Sequence, residues 1–179
     1  MDKNTFRSHA LRQLRAASGS RARYGDRRIA RRVLARIDQH HARSVLLYLP
    51  MKIEVNLLPL IHTLRRRNII VWVPFMQGES FRLVQYRLPL QITQYGVREP
   101  KFSRKYRKKR IDIAIVPIIG TDPTLRRIGF GKGMYDRFFA REGAQIAYTV
   151  FVQRIAQVSP DIVTDRWDVQ ADELIAGCG

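Results

Sequence analysis

The sequence predicts an α/β fold, a three-layer α/β/α sandwich in which helices cover both faces of a mainly parallel sheet. Short apolar runs rich in β-branched residues alternate along the chain with stretches whose apolar residues recur at helical spacing. This alternation favours right-handed strand–helix–strand units, which build parallel sheets. Neither a repeat nor a linker divides the 179 residues, so we expect a single domain over 1–179.

Four helices are expected. Two lie within the first forty residues, where Ser18-Gly19-Ser20 breaks the apolar periodicity between them. A third covers about 55–67, with leucine and isoleucine along one face. The fourth opens after a glycine-rich loop and runs through Phe138 and Phe139.

The strands are predicted from compact β-branched and aromatic runs, of which two end at Pro50 and Pro117. The predicted strands cover residues 44–49, 69–73, 81–86, 111–116, 145–151 and 173–176. Residues 88–110 contain scattered proline and glycine, and we expect them to be irregular. The fold is therefore expected to place long loops between buried strands.

The composition is strongly basic, with 33 Lys and Arg against 15 Asp and Glu, a formal net charge of +18. The electrostatic field of such a protein attracts polyanions, although basic residues dispersed over a solvated surface would give the same net charge. No apolar run is long enough to cross a bilayer, and the N-terminus lacks the apolar core of a secretory signal. The lone cysteine, Cys178, excludes an intramolecular disulfide. We therefore expect a cytoplasmic monomer with no membrane partner.

The glycine-rich loop Gly129-Phe-Gly-Lys-Gly133 is the first candidate site. Alternate glycines let a backbone approach a ligand closely, and their amides can form an anion-binding nest. Lys132 and Arg127 add positive charge beside an expected helix N-terminus, which favours phosphate. The spacing matches neither of the well-known phosphate loops, and a glycine-rich turn without a ligand remains the alternative.

Three carboxylates are candidate metal ligands. Asp136 follows the loop directly, where it would repel a phosphate unless Mg²⁺ lay between them. The alternative is a first-turn carboxylate that the helix dipole favours. Asp168 and Asp172 could each supply a second oxygen ligand, or lie on the surface.

Residues 127–136 (Arg-Ile-Gly-Phe-Gly-Lys-Gly-Met-Tyr-Asp) resemble the RxGxGxGYYD signature of the 5-formyltetrahydrofolate cyclo-ligase family. Five further segments resemble family elements in the same order: Lys3–Arg7, Tyr48–Glu54, Gly96–Pro100, Asp112–Pro117 and Asp168–Glu173. The similarity spans nearly the whole chain. It implies a Rossmann-like sandwich of the type found in CoA transferases.

The resemblance also implies an activity, the ATP- and Mg²⁺-dependent cyclisation of 5-formyltetrahydrofolate to 5,10-methenyltetrahydrofolate through a phosphorylated imidate. The residues implied to bind ATP are Lys3, Arg7, Arg127, Gly129, Gly131, Lys132, Gly133, Met134 and Tyr135. Those implied to bind the folate are Arg7, Leu49, Glu54, Phe130, Met134 and Tyr135. Asp136 and Asp168 would hold Mg²⁺, and Lys132, Arg127 and Tyr135 would be catalytic.

The chain departs from the family pattern at four positions. Met134 stands where the family has the first of two tyrosines, which predicts weaker orientation of the substrate. Ile118 and Thr121 replace a glycine and a phenylalanine. Leu125 stands where a glycine is usual, so we expect the preceding loop to follow a different path.

An alternative function comes from the charge. The run Lys105-Tyr-Arg-Lys-Lys-Arg110 and the departures around the loop fit a divergent homologue with reduced catalysis that binds nucleic acid through basic side chains. Against this, the chain has no recognised nucleic-acid-binding signature. The same basic segment, 101–110, is also a candidate for attracting the anionic glutamate tail of a folate.

Overall fold

The computed structural model describes residues 1–19, 22–92, 98–100 and 110–177. Its helices are α1 (Lys3–Ala16), α2 (Ala22–Gln39), α3 (Leu58–Arg66) and α4 (Met134–Glu142). Its strands are β1 (Ser44–Leu46), β2 (Ile70–Gln77), β3 (Ser80–Gln85), β4 (Leu90–Ile92), β5 (Arg98–Pro100), β6 (Ile113–Pro117), β7 (Gly120–Thr121), β8 (Arg127–Ile128), β9 (Thr149–Gln153) and β10 (Glu173–Ala176). Cys178, Gly96 and most of the basic segment 101–110 lie outside the described residues.

The central sheet has six strands in the order β10-β9-β6-β1-β2-β3. Every neighbouring pair is parallel except β2 and β3, which form an antiparallel hairpin at one edge. The predicted α/β fold with a mainly parallel sheet is therefore confirmed. The parallel strands point their carboxyl ends to one side, where ligands bind in open sheets of this kind.

Successive residues of the buried strands contact opposite layers, as the two-residue period of a strand requires. Val45 and Val71 pack with α2 and α3 on one face of the sheet. Leu46 and Trp72 pack on the other face with Phe138 of α4. Because both faces are buried, the strands are apolar throughout, which is the pattern from which they were predicted.

Helix α1 packs beside the hairpin formed by β7 and β8 rather than on a sheet face. Phe6 and Leu14 bury their side chains against Ile119 and Ile128. Gly120 makes this contact possible, because a Cβ there would lie 2.5 Å from the Phe6 ring. The packing brings the amino-terminal end of α1 to the glycine-rich loop that follows β8.

Residues 88–110 are not wholly irregular, which corrects one prediction. Leu90 pairs with Pro100 and Ile92 with Arg98, so β4 and β5 form a two-stranded antiparallel unit. Two strands of three residues are too short to produce a readable alternation in the sequence.

The strand predicted at 145–151 is displaced to Thr149–Gln153. Gly143–Gln145 continue from α4 as a 3₁₀ turn, and Ile146 makes only a single bridge to Ile111. Among the described residues, no helix is long and apolar enough to span a membrane.

Candidate active site

The loop 129–133 joins β8 to α4 and presents its backbone outward. Gly131 and Gly133 adopt left-handed conformations, with φ of 90° and 60°, that other residues rarely take. Within the described part of the chain, no amide of residues 129–133 donates a hydrogen bond to another protein group. Gly133 also caps α4, so the loop amides continue into the free amides of a helix N-terminus. Consecutive free amides of this kind attract anions.

Two arginines hold the start of the loop. Arg7, on α1, donates from Nε to the Gly129 carbonyl at 2.7 Å. The guanidinium of Arg127 occupies the space that a Cβ at position 129 would need. Glycine at 129 is therefore required by packing, whereas Gly131 and Gly133 are favoured by backbone conformation.

Arg127 lies beneath the loop, with only 7% of its surface exposed. Its Nε donates to the Pro117 carbonyl at 3.1 Å, and its Cζ lies 4.5 Å from the centre of the Tyr135 ring. Burial lowers the pKa of Arg127, and the nearby Asp136 and Glu54 oppose this effect. Arg127, predicted to bind phosphate, is buried as a positive charge between Glu54 and the loop.

The carboxylates of Asp136 and Asp168 line one surface cleft of about 500 Å³, together with Trp167. Asp136 accepts a hydrogen bond from the Val169 amide at 3.2 Å. Asp168 accepts from Lys3 Nζ at 2.5 Å. Lys3, predicted to bind phosphate, is thus an ion-pair partner of the second predicted metal ligand.

Asp172, the other candidate ligand, lies elsewhere. It accepts a hydrogen bond from the Thr149 amide at 2.7 Å, at the start of β9. In the described residues, no cluster of three or more His, Cys, Asp or Glu side chains could hold a metal. The site therefore offers a pair of carboxylates. This donor set fits Mg²⁺, which usually takes one or two carboxylates and completes its shell with phosphate oxygens and water.

Glu54 approaches the same region from the loop after β1. Its Oε2 accepts a hydrogen bond from the Met51 amide at 2.8 Å. Burial raises the pKa of Glu54 to about 7, although the Met51 amide and the charges of Arg127 and Arg154 oppose the rise. A carboxyl with this pKa changes charge near neutral pH, which marks it as a candidate functional group.

Two phenols face Glu54, and burial raises the pKa of both. Tyr48 donates to the Val55 carbonyl at 2.8 Å, which supports the loop that carries Glu54. Tyr135 packs edge-on against Phe81, with ring centres 4.9 Å apart. Both phenols remain protonated at neutral pH, so Tyr135 can act as a hydrogen-bond donor but not as a base.

Of the other predicted site residues, two are exposed on the loop and two pack against the core. Lys132 and Phe130 are exposed on the loop, Phe130 to 40%. Met134 packs against the cluster around Phe138, and Leu49 packs against the cluster beneath α2 and α3. The loop therefore brings an exposed cation and an aromatic ring to the surface beside Asp136.

The substituted positions fit their surroundings. Leu125 has a φ of 54°, the left-handed conformation that glycine adopts without strain, and its amide donates to the Asp122 carbonyl at 3.0 Å. Thr121 is fully buried, and its hydroxyl donates to the Arg126 carbonyl at 2.7 Å. Ile118 is buried in the core on the α4 side of the sheet. The turn before β8 is thus closed by hydrogen bonds despite its unusual residues.

Asp122 organises that turn and was not predicted. Its carboxylate accepts hydrogen bonds from the Thr124 hydroxyl at 2.6 Å and the Thr164 hydroxyl at 2.5 Å. Burial raises the pKa of Asp122, but the bonds from Thr124 and Thr164 outweigh it and lower the pKa to about 2. The sequence Asp-Pro-Thr at 122–124 is typical of an Asx turn, and this pattern could have predicted the role of Asp122.

An open α/β sheet with polar and charged loops near the carboxyl ends of its strands is a common architecture of enzymes. The sequence comparisons identify the family within that class. A sequence model of the 5-formyltetrahydrofolate cyclo-ligase family matches residues 1–177, and the chain belongs to this family. The name cyclo-ligase describes the members of this family as ligases.

Proteins named 5-formyltetrahydrofolate cyclo-ligase are similar over almost the whole chain. The protein from Mycoplasma pneumoniae is 26% identical over 98% of both chains. The protein from Haemophilus influenzae is 23% identical over 93% of this chain and 94% of its own.

Solved structures titled 5,10-methenyltetrahydrofolate synthetase share the fold. The Mycoplasma pneumoniae structure has a TM-score of 0.76 at 25% identity and covers 98% of both chains. The Aquifex aeolicus structure has a TM-score of 0.81 at 26% identity, covering 98% of this chain and 90% of its own.

Proposed function

We propose that the protein cyclises 5-formyltetrahydrofolate to 5,10-methenyltetrahydrofolate with ATP and Mg²⁺. Family membership supports the reaction class. The observation that supports the ATP and metal dependence is that the loop 129–133, with its free amides, is followed closely by Asp136, which lines one cleft with Asp168. Phosphate and a divalent cation are the partners that such a combination suits.

In this proposal the triphosphate lies along residues 129–133, with Lys132 against its terminal phosphates. Asp136 and Asp168 hold Mg²⁺, which when bound neutralises charge on the phosphates. The ion pair with Lys3 and the hydrogen bond from the Asp165 amide hold the Asp168 carboxylate in place, and Arg126 donates to the Asp168 carbonyl at 3.0 Å. Positioning and charge neutralisation are what phosphoryl transfer needs most.

The folate lies between Glu54 and the loop. The ionised Glu54 accepts hydrogen bonds from N–H groups of the pterin, and Phe130, Met134 and Leu49 supply apolar contact. Arg7 lies between phosphate and substrate, where its Nε already contacts Gly129. An apolar pocket with a few placed polar groups is the usual form of a site for a flat heterocycle.

The reaction proceeds in two steps. The formyl oxygen attacks the γ-phosphorus of ATP, the bond to the β–γ bridging oxygen breaks, and ADP leaves. N10 then adds to the formyl carbon and loses its proton, and inorganic phosphate leaves as the ring closes. The protein supplies no nucleophile. Lys132, the buried charge of Arg127 and the neutral phenol of Tyr135 stabilise negative charge that develops on the transferred phosphoryl group.

The test is the near-ultraviolet absorbance of the methenyl product, followed with and without Mg-ATP. Lys132→Ala and Asp136→Asn are each expected to lower kcat/KM about 100-fold or more, because each removes a charge that acts on the phosphates. Arg66→Ala and Asp38→Asn change exposed charges on other elements and serve as matched controls.

Chelation of Mg²⁺ is expected to abolish product formation, and added Mg²⁺ to restore it. Cyclisation that continues without ATP, or that survives both Lys132→Ala and Asp136→Asn, would contradict the proposal.

A second candidate function, binding of nucleic acid, is favoured by one surface. Exposed arginines follow the outer face of α2, namely Arg23, Arg27, Arg28, Arg31 and Arg32. They are different residues from those of the basic segment 101–110 on which the sequence argument depended, most of which lies outside the described residues. Regularly spaced cations on a helix suit a phosphate backbone.

Filter binding of RNA and DNA across a salt series tests this candidate. Replacing Arg23, Arg27, Arg28 and Arg31 by alanine should reduce affinity and the salt slope. Replacing four exposed arginines on other elements, Arg43, Arg82, Arg87 and Arg110, should do neither. Equal losses in both variants, or binding that disappears by about 0.2 M salt, would indicate non-specific attraction alone.

A further inference from the structure

The loop that carries Glu54 rests on a buried ion pair from two distant parts of the chain. Arg154 follows β9, and Asp26 lies on the inner face of α2. Both nitrogen–oxygen distances of this two-pronged contact are 2.9 Å. The side chains are only 9% and 5% exposed. A guanidinium and a carboxylate in this arrangement have a fixed relative orientation.

Besides one hydrogen bond from Arg154 Nη1 to the Ser18 hydroxyl at 3.0 Å, the other hydrogen bonds of the pair go to the backbone around Glu54. Arg154 Nη2 donates to the Glu54 carbonyl at 2.6 Å, and Nη1 donates to the Lys52 carbonyl at 3.0 Å. Asp26 Oδ2 accepts from the Asn56 amide at 3.0 Å. The pair therefore holds the backbone at residues 52, 54 and 56, on both sides of the predicted folate-binding carboxylate.

A role limited to stability explains this arrangement poorly. Buried ion pairs add little net stability over apolar residues of similar size, because removing two charges from water costs as much as their attraction returns. Here the pair also spans α2, the segment after β9 and the Glu54 loop, whereas an apolar pair would leave the loop carbonyls and the Asn56 amide without these partners. The contacts select one conformation of the loop.

We infer that Arg154 and Asp26 are positioning residues for the folate substrate, holding the backbone of residues 52–56 so that the Glu54 carboxylate faces the pterin. This inference rests on the proposed function, because it takes Glu54 as a substrate contact. Neither residue touches the reacting atoms. A displacement of the carboxylate by about 1 Å is enough to reduce activity on the order of 100-fold.

The variants are Arg154→Ala, Arg154→Lys and Asp26→Asn, compared in steady-state assays in which each substrate is varied in turn. Arg154→Ala and Asp26→Asn are expected to raise the folate KM on the order of 10- to 100-fold and leave the ATP KM within about twofold. Arg154→Lys should fall between them and the wild type, since an ammonium keeps the charge but loses the two-pronged geometry.

A matched control is Arg36→Ala, which removes the partly buried ion pair of Arg36 with Glu173, whose distance is 2.5 Å. This pair joins α2 to β10 away from the Glu54 loop. Arg36→Ala is expected to lower the melting temperature without changing the folate KM. The comparison separates loss of stability from loss of loop geometry.

A second measurement is the pH dependence of the folate KM. The charged groups that face Glu54 are Arg127 and Arg154, and the phenols of Tyr48 and Tyr135 stay neutral. Loss of the Arg154 charge removes one influence that lowers the pKa of Glu54. The pH midpoint should therefore move upward in Arg154→Ala and move little in Arg154→Lys.

Calorimetric titration with 5-formyltetrahydrofolate keeps the inference separate from the proposed function. Wild-type protein that binds the folate without cyclising it contradicts the function, and the same variants then still test positioning through affinity. The inference is overturned if folded Arg154→Lys and Asp26→Asn bind folate as the wild type does. It is also overturned if Arg154→Ala raises both KM values equally.

Discussion

Glu54 carries its carboxylate in surroundings that disfavour the charge. Burial raises its pKa to about 7, and the Met51 amide with the charges of Arg127 and Arg154 limits the rise. A half-ionised carboxylate at neutral pH is sensitive to any ligand that donates hydrogen bonds to it. At the scale of one residue, Glu54 therefore predicts a dependence on pH for the proposed folate site.

The folate KM is expected to fall as the pH rises through about 7, because only ionised Glu54 accepts hydrogen bonds from the pterin N–H groups at both oxygens. The folded-state pKa lies above the ordinary value, so the protonated, weakly binding form persists up to that pH. Glu54→Gln should bind weakly and lose this dependence between pH 6 and 8. Initial rates at varied folate, with the exposed Glu79→Gln as control, provide the measurement. A profile unchanged in Glu54→Gln would assign the titration to another group.

The turn between β7 and β8 shows how a single element positions the site. Asp122 binds Thr124 and Thr164, and the chain then turns through Leu125 into Arg127 of β8. The Ala171 amide donates to the Leu125 carbonyl at 3.0 Å, which joins this turn to the segment carrying Asp168. This turn therefore fixes the position of the glycine-rich loop relative to Asp168. It requires Leu125 to adopt a left-handed backbone conformation.

Leu125→Gly is expected to raise the free energy of unfolding by roughly 0.5–1 kcal/mol. Relief of a left-handed non-glycine residue is worth about 1–2 kcal/mol, which exceeds the roughly 0.5–1 kcal/mol of chain entropy that glycine adds to the unfolded state. Urea unfolding at constant slope measures the change. Thr124→Gly removes a hydrogen bond to Asp122 and should destabilise. A Leu125→Gly protein less stable than the wild type would show that contacts of the leucine side chain outweigh its backbone strain.

The whole molecule carries a net charge of +18, and both proposed substrates are anions. Charge spread over a surface acts through the long-range field, which attracts anionic ligands before any contact forms. Salt shortens the reach of that field from about 10 Å at 0.1 M to about 3 Å at 1 M. The excess of positive charge is therefore expected to help attract both anionic substrates to the protein.

Raising NaCl from about 0.1 to about 1 M is expected to increase the KM for both substrates several-fold and to leave kcat nearly constant, because screening weakens attraction between separated charges. Sucrose at equal osmolality should change neither KM. Initial-rate measurements over the salt series test this expectation. A fall in kcat at unchanged KM would place the effect of salt on the chemical step or on stability instead.

Local patterns in the sequence were sufficient for the elements and for the loop. Helical spacing predicted α1 to α3, the glycine-rich loop predicted the start of α4, and β-branched runs predicted the buried strands. The alternate glycines of 129–133 predicted a loop whose backbone a ligand could approach closely, and two of them adopt positive φ. The pair β4 and β5 was missed, since its pairing joins short segments whose stability comes from each other.

The sequence by itself determined the α/β layers and the family, because these depend on local order and on motifs that follow one another along the chain. Only the tertiary structure decided that Arg127 is buried, that Lys3 pairs with Asp168, and that Arg154 and Asp26 hold the Glu54 loop. Arg154 and Asp26 are separated by more than a hundred residues, and their contact requires α2 and β9 to pack on the same sheet. Long-range packing of this kind leaves no periodic trace in the chain, since each partner alone resembles an ordinary surface charge.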